Sequence, residues 1–153
     1  MKKLQFLFLL LGFVSTANAA DITIFFSPSC PHCHHARDFI KNELIYEYDN
    51  LKVIEINATS LDNRQTFLDT LTKCKYKSGG VPVMVVGEKC FQGYADSIRD
   101  DIRKAVEIDL TDTQKQSAIK NRTELNKNRN NFISTHGDRL KSITTVEGNA
   151  KKK

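Results

Sequence analysis

The hydrophobic period of this chain changes within one nine-residue stretch, Ser27-Pro28-Ser29-Cys30-Pro31-His32-Cys33-His34-His35. Before it, Asp21-Ile22-Thr23-Ile24-Phe25-Phe26 is a run of β-branched and aromatic residues, mostly apolar, as a buried strand requires. After it, Phe39, Ile40, Leu44, Ile45 and Tyr48 recur at three- and four-residue intervals, the period of an amphipathic helix. Lys41, Asn42, Glu43 and Glu47 fall off that stripe. Ser27-Pro28-Ser29 breaks the strand, and Pro31 suits a first helical turn, where its missing N–H costs nothing. The two cysteines therefore straddle a strand-to-helix turn, with Cys30 at the helix N-terminus.

The following residues repeat the alternation. Leu51 to Ile56 reads as a second strand, parallel to the first through a right-handed crossover. Asn57-Ala58-Thr59-Ser60 supplies a turn and cap, and Leu61, Phe67, Leu68 and Leu71 mark a second helix over about 61–75. Ser78-Gly79-Gly80 ends it. Val81 to Val86 reads as a third strand, Gly87-Glu88-Lys89 as a hairpin turn, and Cys90-Phe91-Gln92 as a short fourth strand closed by Gly93. A last helix, about 95–107, carries Ile98, Ile102 and Val106 on one face. The expected class is α/β, in the order β-α-β-α-β-β-α around a four-stranded mixed sheet.

At 153 residues, 40% hydrophobic and 27% charged, the chain suits one globular domain and excludes wholesale disorder. Residues 1–19 read as a signal peptide: Lys2 and Lys3, an apolar run from Leu4 to Val14, then the small-x-small site Ala17-Asn18-Ala19, with cleavage before Ala20. The alternative, an uncleaved anchor, asks for a longer apolar run. Export, to a periplasm or an equivalent oxidising compartment, is the expected localisation. There a disulfide or dithiol role for cysteine gains weight over zinc. The formal +5 charge is uneven. Residues 20–110 hold 11 basic and 14 acidic side chains, whereas residues 111–153 hold 10 basic and 4 acidic. The basicity belongs to the tail, and no nucleic-acid motif accompanies it.

At these residues the chain resembles the thioredoxin superfamily in its small, glutaredoxin-like form, over about 20–109. Cys30-Pro31-His32-Cys33 follows the first strand, as that superfamily's active site does. Val81-Pro82 matches the position of its cis-proline, and Gly87-Glu88-Lys89 with Phe91-Gln92-Gly93 is similar to the glutaredoxin hairpin. Cys-Pro-His-Cys is also the active-site tetrapeptide of DsbA-type thiol oxidases. The resemblance implies a thiol–disulfide oxidoreductase with Cys30 as nucleophile, Cys33 as resolving thiol and His32 as electrostatic tuner. It implies a substrate-binding surface at Pro31, Val81 and Pro82, and no cofactor beyond the redox-active Cys30–Cys33 pair. Protein thiols and disulfides would be its substrates, with a membrane redox partner.

The chemistry agrees with that placement. A thiol attacks only as thiolate, and a helix N-terminus stabilises one through unpaired N–H groups and the macrodipole. Stabilising the Cys30 thiolate favours the reduced pair and makes the disulfide an oxidant. Three departures stand against simple transfer. The first strand carries no buried acid, Ser27-Pro28-Ser29 lacks the basic residue that glutaredoxins commonly use for glutathione, and the long DsbA helical insertion is missing. Asp96 is read as a helix-cap acid rather than a glutathione contact.

Other readings use the same residues. Cys30-x-x-Cys33-His34 fits a c-type haem site, with Met84 as a conceivable axial ligand, but the strand and helix alternation is unlike a small haem protein. Cys30, His32, Cys33, His34 and His35 also suit Cu(I) or Zn(II) as donors, although adjacent helical histidines point apart, and no metal is expected. Within the enzyme reading, a reductase or isomerase kept reduced by a membrane partner is the alternative. Cys74 and Cys90 are expected either to pair with one another or to remain two buried thiols. Residues 110–153 are expected to be a basic tail, partly helical or disordered, with a helix possible over about 113–133. That tail offers contact to a partner or an anionic surface.

Overall fold

The computed structural model describes Ala19 and residues 21–148. The signal-peptide reading otherwise lies outside the described residues, as does the closing Lys151-Lys152-Lys153. Among the described residues no helix is long and apolar enough to cross a membrane.

Five strands form one sheet, in the order β4-β3-β1-β2-β5. Strand β1 (Ile22–Phe26) lies at the centre, parallel to β2 (Val53–Asn57) and antiparallel to β3 (Val83–Val86). Strand β4 (Lys89–Gln92) pairs antiparallel with β3 through the hairpin, whose Gly87 takes a positive φ of 56°. This is the β-α-β-α-β-β-α arrangement that the sequence predicts. Its four-stranded sheet needs one correction. Ile143–Val146, strand β5, adds to the outer edge of β2 in parallel register, Val53 opposite Ile143 through Ile56 opposite Val146. The edge of β2 would otherwise leave a row of backbone groups unpaired, and β5 satisfies them.

Alternation along the strands sorts the helices to two faces. Ile22, Ile24, Met84 and Val86 share one cluster with Ala36, Phe39 and Ile40 of the first helix and with Ile102 and Val106. Phe25 and Val83, of opposite parity, pack with Phe67 and Leu71. Thus α1 (Pro31–Phe39) and α4 (Arg99–Val106) cover one face, and α3 (Arg64–Lys73) covers the other. The first helix runs on through a π-helical turn, Ile40–Leu44, into the short α2 (Ile45–Glu47). Tyr46, Phe39 and Phe25 are among the largest side chains wholly removed from water, each worth roughly 1.5–3 kcal/mol of burial.

After α4 the chain forms α5 (Asp112–Lys127), α6 (Arg129–His136) and β5. Helix α5 opens with a capping box: Thr111 accepts from the Gln114 N–H, and the Gln114 side chain accepts from the Thr111 N–H. Asn128 ends α5 and caps α6, so the expected single helix over 113–133 is two. Ala118, Leu125 and Phe132 are buried in the same core as α1. The earlier charge division explains the docking, because basic residues 111–148 meet an acidic domain. Arg122 lies 2.8 Å from Glu47, Arg129 donates to the Asn42 carbonyl at 2.6 Å, and Arg139 reaches both the Tyr46 carbonyl and Asp49.

Candidate functional site

Strand β1 ends at Phe26 and helix α1 begins at Pro31, so Cys30 is the N-cap residue, in extended conformation at φ −94° and ψ 112°. Proline at the first helical position and cysteine at the cap leave the sulfur facing the free N–H groups of the first turn. The Cys33 N–H donates to the Cys30 sulfur at 3.1 Å. The first turn holds no acid, so no like charge opposes a thiolate there. Cys30 and Cys33 are joined as a disulfide with Cα atoms 5.2 Å apart. Cys30 is half-buried, whereas Cys33 is 1% exposed. An attacking thiolate can therefore reach Cys30 far more readily than Cys33.

The third component arrives from 51 residues away. The Val81–Pro82 bond is cis, and the Val81 carbonyl oxygen lies 3.6 Å from the Cys30 sulfur. Bridged sulfur carries no proton, so this is a packing contact in the disulfide state and a possible hydrogen bond only for a thiol. Pro82 is buried and Val81 half-buried, which places the Val81 backbone at the rim of the site.

Of the histidines, His32 is exposed and makes no hydrogen bond or ion pair with the described residues. His34 reaches the Pro28 carbonyl at 2.9 Å, bracing the Ser27-Pro28-Ser29 turn. His35 is exposed. Among the described residues no three of His, Cys, Asp and Glu converge in a metal-binding group. Asp96 lies in the turn before α4 and pairs with Arg99 at 2.8 Å, a helix-start contact. Cys74, at the C-terminus of α3, is bonded to Cys90 of β4, with Cα atoms 5.8 Å apart.

Two groups near the site escape a reading by sequence pattern. Glu55 lies on β2 level with Ile24 of the central strand, on the face covered by α1. It is wholly buried, with Arg37 at 2.7 Å, Lys41 at 3.3 Å and the Thr145 hydroxyl at 3.0 Å. Burial works to raise its pKa; the hydrogen bond and charge of Arg37, helped by Lys41, outweigh this and hold it below the ordinary carboxylate value. Arg37 is one turn beyond Cys33 and also stacks over Phe26 at 4.1 Å, so its side chain ties helix α1 to β2 through the ion pair and to β1 through the ring. The sign available in sequence was an acid inside an apolar strand run. The second group is Gln92, whose side chain donates to the carbonyls of Ser78 at 2.8 Å and Gly80 at 3.1 Å. No pattern announces it.

No protein-family description and no curated protein matches this sequence. Among solved structures, the chain is similar to a glutaredoxin, grx-1, from Archaeoglobus fulgidus, at a TM-score of 0.43 and 22% identity. The likeness covers 56% of this chain and 87% of that one.

Proposed function

We propose that this chain is an exported thiol–disulfide oxidoreductase that accepts electrons from protein dithiols through Cys30 and Cys33. The observation that carries the reading is the asymmetry of the pair. One sulfur caps a helix N-terminus at the surface, and its partner is 1% exposed behind it.

The reaction follows from that geometry. A substrate thiolate attacks the Cys30 sulfur; the Cys30–Cys33 bond breaks, and Cys33 leaves as thiolate and takes up a proton. A second substrate thiolate then attacks the substrate sulfur of the mixed disulfide. Cys30 leaves as thiolate, and the substrate disulfide is complete. Two electrons pass from substrate to the enzyme pair. The leaving Cys30 thiolate is met by the Cys33 N–H and the helix macrodipole, which favours oxidation of the substrate. His32, in the same first turn, adds to that stabilisation as a DsbA-type tetrapeptide would. Pro31 and the Val81 edge, backed by the buried Pro82, form the surface along which the substrate chain lies. A membrane-bound acceptor that reoxidises the pair completes the cycle, and the Cys74–Cys90 bridge serves the fold.

Cys33→Ser is the direct test. It is expected to accumulate mixed disulfides through Cys30, visible by non-reducing electrophoresis, and Cys30→Ser is expected to accumulate none. Trapping by neither variant overturns the reading. Direction is decided by the reduction potential of the pair. A value near the roughly −120 mV of a strong oxidant supports the proposal, and one near the roughly −270 mV of thioredoxin supports a reductase.

A further inference from the structure

Strand β4 does more than close an edge of the sheet. Cys90 and Gln92 are two residues apart on it, so both side chains leave the same face. Both end on the segment between α3 and β3. Cys90 is bonded to Cys74, where that segment begins. The Gln92 carboxamide directs its nitrogen to two carbonyls in the middle, Ser78 at 2.8 Å and Gly80 at 3.1 Å. The next residue, Gly93, donates its N–H to the Pro82 carbonyl at 2.8 Å, where the segment ends. The loop is thus fastened at its start, middle and finish by one short strand.

The middle attachment matters most for the site. Ser78, Gly79 and Gly80 are all exposed, and paired glycines have the widest conformational freedom of any residues. The flanking Tyr76 and Val81 pack on the Phe25, Phe67, Leu71 and Val83 cluster, so it is the exposed stretch between them that Gln92 fastens. A primary carboxamide has two N–H donors, and here each has a carbonyl to meet. The residue that follows Gly80 is Val81, whose carbonyl lies 3.6 Å from the Cys30 sulfur.

We infer that Gln92 is a positioning residue for disulfide exchange, holding the Ser78–Gly80 backbone so that Val81 presents a fixed edge to a peptide substrate beside Cys30. The inference rests on the oxidoreductase reading. A substrate long enough to lie along Val81 depends on Gln92, and a small dithiol that touches only the sulfurs does not.

The experiment uses the full chain without its leader, as wild type, Gln92→Glu and Gln92→Leu. The first variant keeps the shape and loses the donors, and the second loses them without adding charge. Each oxidised protein is reacted with a reduced two-cysteine peptide of about ten residues and, separately, with dithiothreitol. Both variants are expected to lower kcat/KM for the peptide about five- to tenfold, mainly through KM, while the dithiothreitol rate stays within twofold. A peptide kcat/KM within twofold of wild type overturns the inference and leaves the oxidoreductase reading standing. A parallel fall with dithiothreitol also overturns it, since that marks a general distortion. A wild-type protein that reacts with neither reductant overturns the oxidoreductase reading and the inference with it.

Discussion

The guanidinium of Arg122, on α5, lies 2.8 Å from the carboxylate of Glu47, at the end of the helical segment that Cys30 caps. Glu47 is 1% exposed and also receives Arg103 of α4 at 2.8 Å. One carboxylate thus joins the helical segment that follows Cys30, helix α4 and the basic segment after it. Removing it takes the closest carboxylate from both guanidiniums, leaving Arg103 with Glu43 at 3.0 Å and Asp100 at 3.2 Å, and Arg122 with Glu107 at 3.7 Å. Glu47→Ala is expected to destabilise the chain by about 2 kcal/mol, the order of a lost charged hydrogen bond, because the remaining acids compensate part of the loss. Chemical denaturation of variant and wild type checks this, and a loss below about 1 kcal/mol would show that the network is only decorative.

Glu55 predicts an acid dependence. A carboxylate whose pKa is lowered by folding binds its proton more readily in the unfolded chain. Its stabilisation is complete above the ordinary value of 4.5 and disappears as pH falls through the lowered one. Glu55→Gln is therefore expected to destabilise the protein at pH 7, with Arg37 left unpaired, and to flatten the decline in stability between about pH 5 and pH 2. Denaturation midpoints across that range test it. Equal acid slopes in variant and wild type would assign the titration elsewhere.

His32 predicts a change in potential. Its exposed position in the first turn, without a hydrogen bond or ion pair among the described residues, makes stabilisation of the Cys30 thiolate its expected contribution. His32→Ala is expected to make the pair less oxidising, by about 30 mV for each ~1.4 kcal/mol of lost thiolate stabilisation. Equilibration with glutathione buffers at fixed pH measures the shift. An unchanged or more oxidising potential would remove His32 from the mechanism.

The Cys74–Cys90 bridge closes a span of 16 residues that contains Val81 and Pro82. Replacing both cysteines by serine is expected to cost about 3 kcal/mol, mainly through the wider unfolded ensemble. The thermal midpoint and the count of free thiols in the unreduced protein are the measurements. Free thiols located on Cys74 and Cys90 by alkylation and peptide mapping of the native wild type would contradict the bridge.

What could be read in the sequence was local. The change from strand to helical period around Ser27-Pro28-Ser29 places Cys30 at a helix N-terminus, and the later Val81-Pro82 announces a third strand. Element order follows from such signals because period and breakers act over a few residues. Their ends were blurred: the helix expected over 61–75 is regular only from Arg64 to Lys73, after a 3-10 turn. Thr111 and Gln114 carried a readable cap for α5, a signal that composition hid behind the tail's charge.

Other features exist only in three dimensions. Ile143–Val146 is an undistinguished polar-apolar run until the exposed edge of β2 offers it backbone partners, so the fifth strand depends on a pairing some ninety residues distant. Glu55 looks like a solvated strand acid until α1 covers it and Arg37 compensates its burial. Gln92 acquires a role only where the hairpin folds beside Ser78 and Gly80. The sequence by itself determined which residues could become a strand, a helix or a reactive sulfur, because those choices follow from local period and chemistry. Tertiary structure alone decided which sulfur is exposed, which carboxylates are buried and which backbone edge lies beside Cys30, because burial and long-range hydrogen bonding are properties of the assembled chain.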